Sequence, residues 1–342
     1  MLCFLSLAAY NGNMQQVMAK ISLGRIRKNA RLLQARAGVP LLAVVKDDAY
    51  GHGAAAVAHA LHGIAAGFCV ATVREGASLR IAGIREDILV LAPPLDKEDA
   101  LRLRAYELTG TVSSPRSLRL AAEAGFLCHL AVNTGMNRYG VPPAQAGRQA
   151  RRAKALGVSL TGVYSHLWAP AEEAVRKQQL VLFRRAAEEV RAVFPCALCH
   201  LAATGGILAG REYCLDAVRP GIGLYGYLPA GFEGMLPVQP AARIYAPVSH
   251  VCARVGEGAG YQRAEKGSRF YTLRLGYGDG FFRADGRGGV LCMDARVCAG
   301  GARIGERRLV LNDFTRYARE HGTTEYEVLL RTLQGTEKEY DG

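Results

Sequence analysis

Lys46 closes a run of five apolar residues, Leu41 to Val45, and opens the segment Asp47-Asp48-Ala49-Tyr50-Gly51-His52-Gly53. A free ammonium at the end of such a run is costly to bury. A Schiff base with a carbonyl compound removes that cost and supplies a covalent handle. Further along, Thr204 with Gly205-Gly206, and Gly221-Ile222, offer backbone N–H groups suited to a phosphate. His166 ends another apolar run, Arg219 precedes Pro220, and Asn133 leads into Thr134-Gly135-Met136-Asn137-Arg138. Each has an ordinary reading alone: a strand-end lysine in solvent, a histidine packed at an edge, an arginine in a loop ion pair. Their joint occurrence at the ends of apolar runs argues for one site that carries a carbonyl compound and binds phosphate.

The elements that must position these residues are legible as alternating runs. Strand-like stretches are Leu41–Lys46, Gly67–Thr72, Asp87–Ala92, Glu107–Ser113, Cys128–Asn133, Ser159–His166, Ala197–Thr204 and Ala217–Tyr227. Several are almost wholly apolar, as parallel strands covered on both faces should be. Helical spacing predicts helices over Ile21–Ala37, Ala54–His62, Val73–Ala82, Lys97–Ala105, Pro115–Ala124, Pro143–Leu156 and Ala174–Val193. The alternation predicts an α/β chain with a (β/α)₈ barrel, whose chemistry sits at the C-terminal strand ends. After Tyr227 glycines multiply. Short strand-like runs follow at Val248–Val255, Phe270–Leu275, Val290–Cys292 and Arg308–Leu311, with a helix over Phe314–His321. The chain is therefore divided into a barrel, residues 1–235, and a smaller C-terminal β-rich domain, residues 236–342. The Pro- and Gly-rich stretch Leu228–Gln239 marks the boundary.

Composition narrows the function classes. The net charge of +13 raises nucleic acid or an acidic membrane surface as partners. No nucleic-acid-binding motif or interleaved aromatics accompany it, so residues such as Arg148, Arg151, Arg152 and Lys154 read as a solvated helix face. Nine cysteines lack a disulfide framework, which suits a reducing cytosol. Cys196, Cys199 and His200 form Cys-x-x-Cys-His without a second Cys-x-x-Cys, so they read as a buried strand and no metal site is expected. Met1 to Ala9 lack the basic flank and cleavage site of a secretory signal. No stretch reaches the ~20 apolar residues of a membrane span. A soluble, cytoplasmic enzyme acting on a small molecule is expected.

The chain resembles the alanine racemase family of fold-type III pyridoxal 5'-phosphate (PLP) enzymes. The resemblance is carried by Ala43-Val44-Val45-Lys46-Asp47-Asp48-Ala49-Tyr50-Gly51-His52-Gly53, by Thr134-Gly135-Met136-Asn137-Arg138-Tyr139-Gly140, and by Val218-Arg219-Pro220-Gly221-Ile222-Gly223-Leu224-Tyr225-Gly226. Gly276-Tyr277-Gly278-Asp279-Gly280-Phe281, Cys292-Met293-Asp294 and Gly322-Thr323-Thr324-Glu325-Tyr326-Glu327 continue it in family order. It implies a homodimer with shared active sites. Lys46 would be the Schiff-base lysine and one catalytic base, and Tyr261 the second base, contributed by the other subunit. His166 would hydrogen-bond Tyr261, and Arg219 would face the pyridine nitrogen. Tyr50, Thr204, Gly221 and Ile222 would hold the phosphate, and Arg138 the phenolic oxygen. Met293 and Asp294 would lie at the substrate carboxylate. Two bases on opposite faces of the α-carbon perform racemisation. Cationic Arg219 and His166 would favour a Tyr261 phenolate over its ordinary pKa of about 10.

The sequence departs from the family at several points. The strand-five lysine that precedes the Asp-Thr-Gly-Met run is replaced in Ala131-Val132-Asn133, the phosphate-side Asn-Ser reads Ala203-Thr204, and the C-terminal phosphate tyrosine has no clear counterpart. Alternatives stay open: a racemase of serine or another amino acid on the same machinery, or a PLP-binding homologue without racemase activity. A decarboxylase of this fold would place an acidic residue where Arg219 stands.

Overall fold

In the computed structural model the alternating runs close into a ring of parallel strands. The structure describes residues 16–264, 269–284 and 291–342. Two compact units appear: Ser22–Ala241, with Gly342, and Ala242–Asp341 joined by the N-terminal segment up to Ile21.

The first unit is the barrel. Leu42–Val44, Gly67–Val70 and Asp87–Val90 pair in parallel, as do Gly110–Val112, Cys128–Ala131, Leu160–Tyr164 and Leu198–His200. A bridge between Leu89 and Thr109 joins the two groups. The eighth place is held by Ala217 and Val218, bridged to His200 on one side and Leu41 on the other. Leu42 N–H donates to the Val218 carbonyl at 2.8 Å, and Arg219 N–H to that of Ala202 at 2.8 Å, which closes the ring. The expected strand over Ala217–Tyr227 is thus much shorter. Pro220 has no N–H for a ladder, and Ile222–Tyr225 winds into a 3₁₀ turn.

The surrounding helices form where the pattern placed them. In Leu23–Ala37 the buried residues Ile26, Ala30, Leu33 and Ala37 fall on one stripe, and Gly38 ends the helix in a left-handed conformation. Burying each such Leu or Ile stabilises by about 1.5–3 kcal/mol. Ser114 and Pro115 start Pro115–Ala124, with Ser114 Oγ accepting from Ser117 N–H at 3.2 Å. Thr72 and Glu75 form a capping box on Val73–Ile81.

The second unit is a six-stranded sheet built on the long strand Ala242–Ala253. That strand pairs antiparallel with Met18–Ser22, Arg269–Leu273 and Arg307–Leu311. Arg296–Ala299 adds to Arg269–Leu273, and Glu337–Asp341 adds beside Met18–Ser22. Helices Phe314–Glu320 and Glu325–Leu333 belong to the same unit.

The division of the chain differs from the sequence expectation of 1–235 and 236–342. The strand Met18–Ser22 precedes the first helix and pairs with Ala242 to Tyr245, so this strand belongs with the C-terminal sheet. The stretch through Gln239 stays with the barrel. Asn29 Nδ2 donates to the Gln239 carbonyl at 2.9 Å, Asn29 Oδ1 accepts from Gln239 N–H at 2.9 Å, and Arg25 donates to the Pro240 carbonyl at 2.8 Å. The expected run Val290–Cys292 begins outside the described residues, as does the apolar segment Met1 to Ala9; Leu291 and Cys292 are not in a strand. Among the described residues no helix is long and apolar enough to cross a membrane.

Candidate active site

Lys46 emerges half-buried from the first barrel strand, directly after the buried Val44 and Val45. The next four residues all have positive φ: Asp47 52°, Asp48 53°, Ala49 55° and Tyr50 52°. A left-handed turn of non-glycine residues costs about 1–2 kcal/mol per residue. Its hydrogen bonds offset that cost. Gly51 N–H donates to the Asp47 carbonyl at 3.0 Å and Gly53 N–H to that of Asp48 at 2.9 Å. Ala54 N–H donates to Asp48 Oδ1 at 2.8 Å and Asp47 N–H to Glu75 Oε1 at 2.7 Å. The turn folds the chain back so that Tyr50 is buried, its ring 4.9 Å from that of Tyr225.

Tyr50 then meets the loop after the eighth strand position. A Cβ at Gly221 would lie 2.6 Å from the Tyr50 hydroxyl oxygen, so any larger residue there must push Tyr50 aside. Beside it, Gly223 N–H donates to Thr204 Oγ1 at 3.2 Å. Thr204 and Ile222 are each 2% exposed. The structure therefore brings Tyr50, Thr204, Gly221 and Ile222 into one small cradle of hydroxyls and glycine backbone, after strands seven and eight, where this barrel type commonly holds phosphate.

Arg219 is 3% exposed, and among the described residues no carboxylate pairs with it. Carbonyls solvate it instead: Nη1 donates to the His200 carbonyl at 2.9 Å, and Nη2 to those of Ser165 at 2.5 Å and Leu201 at 3.3 Å. Nη1 also donates to His200 Nδ1 at 2.5 Å. A guanidinium has no acceptor, so His200 Nδ1 carries the lone pair and Nε2 the proton. His200 Nε2 then donates to His129 Nδ1 at 2.8 Å. Burial, reinforced by the Arg219 charge, depresses both histidines, His129 to about 3 and His200 well below its ordinary value. Both are neutral, and the cationic end of the row is Arg219, which lies 5.1 Å from the Tyr164 ring centre.

His166 stands among three cations. Burial first, then the charges of Arg219, Arg138 and Lys46, lower its pKa to about 3. This differs from the expectation of a cationic His166: burial among these charges favours the neutral imidazole, and the positive field comes from the arginines and Lys46. Arg138 is exposed, its guanidinium 5.8 Å from the Tyr139 ring centre. Its loop is organised by Asn133, whose Oδ1 accepts from Gly135 and Asn137 N–H at 3.0 Å each and whose Nδ2 donates to Asn137 Oδ1 at 2.9 Å. Ala131, in the stretch that lacks the expected lysine, is buried at the end of strand five.

Tyr261, Met293 and Asp294 belong to the sheet unit. Tyr261 tops the hairpin between Gly258–Ala259 and Gln262–Arg263 and is 74% exposed. Gly260, with φ +63°, lies so that a Cβ there would sit 3.5 Å from Cys292 Sγ, and Met293 and Asp294, next along the chain from Cys292, are exposed. Among the described residues no group of three or more His, Cys, Asp or Glu side chains is placed to hold a metal ion.

Sequence reasoning missed the polar interior. The sequence pattern presents His200 only as part of a Cys-x-x-Cys-His strand and does not single out His129, Tyr164 or Gln179. The available signal was two histidines inside apolar barrel strands, where an unpaired imidazole is costly.

The fold and strand-end residues together define a (β/α)₈-barrel enzyme with a separate antiparallel-sheet unit. The family model described as alanine racemase, N-terminal domain, matches residues 21–229, and the chain belongs to the alanine racemase family. An alanine racemase of Deinococcus radiodurans is 34% identical over 92% of this chain and 96% of its own length. One of Mycobacterium tuberculosis is 36% identical over 84% and 79%. Among solved structures, alanine racemase from Streptomyces lavendulae aligns at TM-score 0.83 and 28% identity, over 96% of this chain and 97% of that one. The Corynebacterium glutamicum alanine racemase aligns at 0.81 and 27%, over 96% and 100%.

Proposed function

We propose that this chain interconverts L- and D-alanine in the cytoplasm, with PLP held covalently at Lys46, in a homodimer whose active sites take Tyr261 from the partner subunit. The observation that carries this reading is the grouping of Lys46, Tyr50, Thr204, Gly221 and Arg219 at the C-terminal strand ends in a chain of this family. The cradle fits a phosphorylated pyridine aldehyde. It has no room for a side chain at Gly221 without moving Tyr50, yet offers the Thr204 and Tyr50 hydroxyls. Nine cysteines without a disulfide framework fit a reducing compartment.

Tyr50, Thr204, Gly221 and Ile222 would hold the phosphate, and Arg219 would face the ring nitrogen. When bound, the cofactor supplies an electron sink that makes the α-proton of an amino acid removable. Arg219 only donates, so it favours an unprotonated ring nitrogen and tempers that sink. Lys46 would take or return the α-proton on one face, and the partner's Tyr261 on the other. Neutral His166 would hydrogen-bond that phenol, in the positive field of Arg138 and Arg219. Arg138, Met293 and Asp294 would orient the substrate and the cofactor's phenolic oxygen.

The test is purification, an absorbance scan and a racemase assay against a panel of L-amino acids. A near-visible band that borohydride removes, with added mass on Lys46, and fastest turnover of alanine are expected. Mixing Lys46→Ala and Tyr261→Phe chains should restore activity through one whole site per mixed dimer. A colourless protein that takes up no added PLP refutes the reading.

A further inference from the structure

Resting on the racemase reading, the structure assigns Gln179 as a positioning residue that ties the exits of strands five and six to each other. Gln179 lies on the helix Glu173–Arg191 and is 2% exposed. A buried primary amide that far from solvent must spend its hydrogen-bonding groups on protein partners. Its Nε2 donates to Thr134 Oγ1 at 2.9 Å and to the His166 carbonyl at 3.0 Å. Its Oε1 accepts from Trp168 N–H at 3.2 Å. The partners fix the amide's orientation, because a flipped group would set its carbonyl against the His166 carbonyl and its N–H groups against Trp168 N–H.

The tether reaches the working groups from both sides. Thr134 Oγ1, which accepts from Gln179, also shares a hydrogen bond with Ser165 Oγ at 2.8 Å. The Ser165 carbonyl accepts from Arg219 Nη2 at 2.5 Å. Thr134 opens the loop that carries Arg138, and His166 is the next residue after Ser165. One side chain from the outer helix layer thus fixes the backbone that aims His166, the start of the Arg138 loop and, through Ser165, the guanidinium of Arg219. None of its atoms needs to touch substrate.

Trp168 is the only tryptophan of the chain, so its fluorescence reports this tether without substrate or cofactor. The experiment compares Gln179→Met, similar in size but unable to donate or accept, with Gln179→Glu, which keeps an acceptor for Trp168 and loses both donors. In Gln179→Met, acrylamide quenching of Trp168 in the cofactor-free protein should rise at least 1.5-fold, and kcat for alanine should fall at least tenfold with KM within threefold. Gln179→Glu should lose kcat likewise but keep parental quenching. Parental kcat and quenching in Gln179→Met would overturn the assignment. So would activity losses that merely follow a collapse of Tm in both variants, which would mark Gln179 as a folding residue only. If the parental protein does not racemise alanine, the racemase reading falls, and the tether then stands or falls on the quenching difference.

Discussion

Gly221→Ala tests the cradle directly. Gly221 lies outside the left-handed region, with φ −120°, and the effect tested is the contact that a Cβ would make. The new Cβ would stand 2.6 Å from the Tyr50 hydroxyl oxygen and 3.3 Å from Cζ. An ordinary contact near 3.4 Å requires the hydroxyl to move about 0.8 Å, the difference from the 2.6 Å separation. Tyr50 cannot swing freely, because its ring packs against Tyr225, which is itself fully buried and bonded through its hydroxyl to the Val44 carbonyl at 2.9 Å. Overpacking of this kind costs about 1–3 kcal/mol. Displacing a hydroxyl that bonds a phosphate costs a further ~1.5–3 kcal/mol of binding, roughly ten- to a hundredfold in affinity. In a Tyr50→Phe background the nearest atom becomes the ring carbon, so most of the stability penalty of Gly221→Ala should vanish, a coupling of about 1 kcal/mol or more. Denaturant unfolding of the four cofactor-free proteins gives the stability cycle, and PLP titration by absorbance gives the affinities. An equal stability cost of Gly221→Ala in both backgrounds would refute the clash. Unchanged PLP affinity in Gly221→Ala would refute the cradle as a phosphate site.

Three further outcomes follow from the same geometry. His129 and His200 are neutral when folded and take up protons on unfolding, so acid below about pH 6.5 should destabilise the barrel, by up to about 1.4 kcal/mol per pH unit for His129 down to about pH 3, with His200 acting in the same direction; stability above pH 6.5 should not depend on them. His129→Leu should flatten that slope by one histidine's share in urea titrations at pH 4 to 6, and an unchanged slope would mean the histidine is charged in the fold. Asp47 is exposed with φ 52°, so Asp47→Gly should stabilise by up to about 1 kcal/mol, a Tm rise of roughly 2–4 °C, and a lower Tm would show that the Asp47 side chain holds the left-handed turn. Tyr261→Phe should cost at least ~10²-fold in racemisation while leaving α-proton exchange with deuterium oxide on one enantiomer alone; equal exchange of both enantiomers would point to a different second base.

The sequence by itself determined the barrel, because its signal is local. Short apolar runs and amphipathic helices alternate in order, and a strand's facing follows from its own residues. It also marked Lys46, Tyr50, Thr204, Arg219 and Gly221, since strand ends are where such a barrel can do chemistry. Tertiary structure alone decided what surrounds them. The N-terminal strand joins the C-terminal sheet because Met18 to Ile21 pair with residues more than 220 positions away, a match that no local pattern encodes. His200 and His129 lie 71 residues apart, and only ring closure sets one against the other and both behind Arg219. The charge on His166 reversed for the same reason: an imidazole read alone titrates near neutrality, but burial beside Arg219, Arg138 and Lys46 keeps it neutral. Hydrogen bonds and electric fields act across space rather than along the chain, so the fold had to close before they could be read.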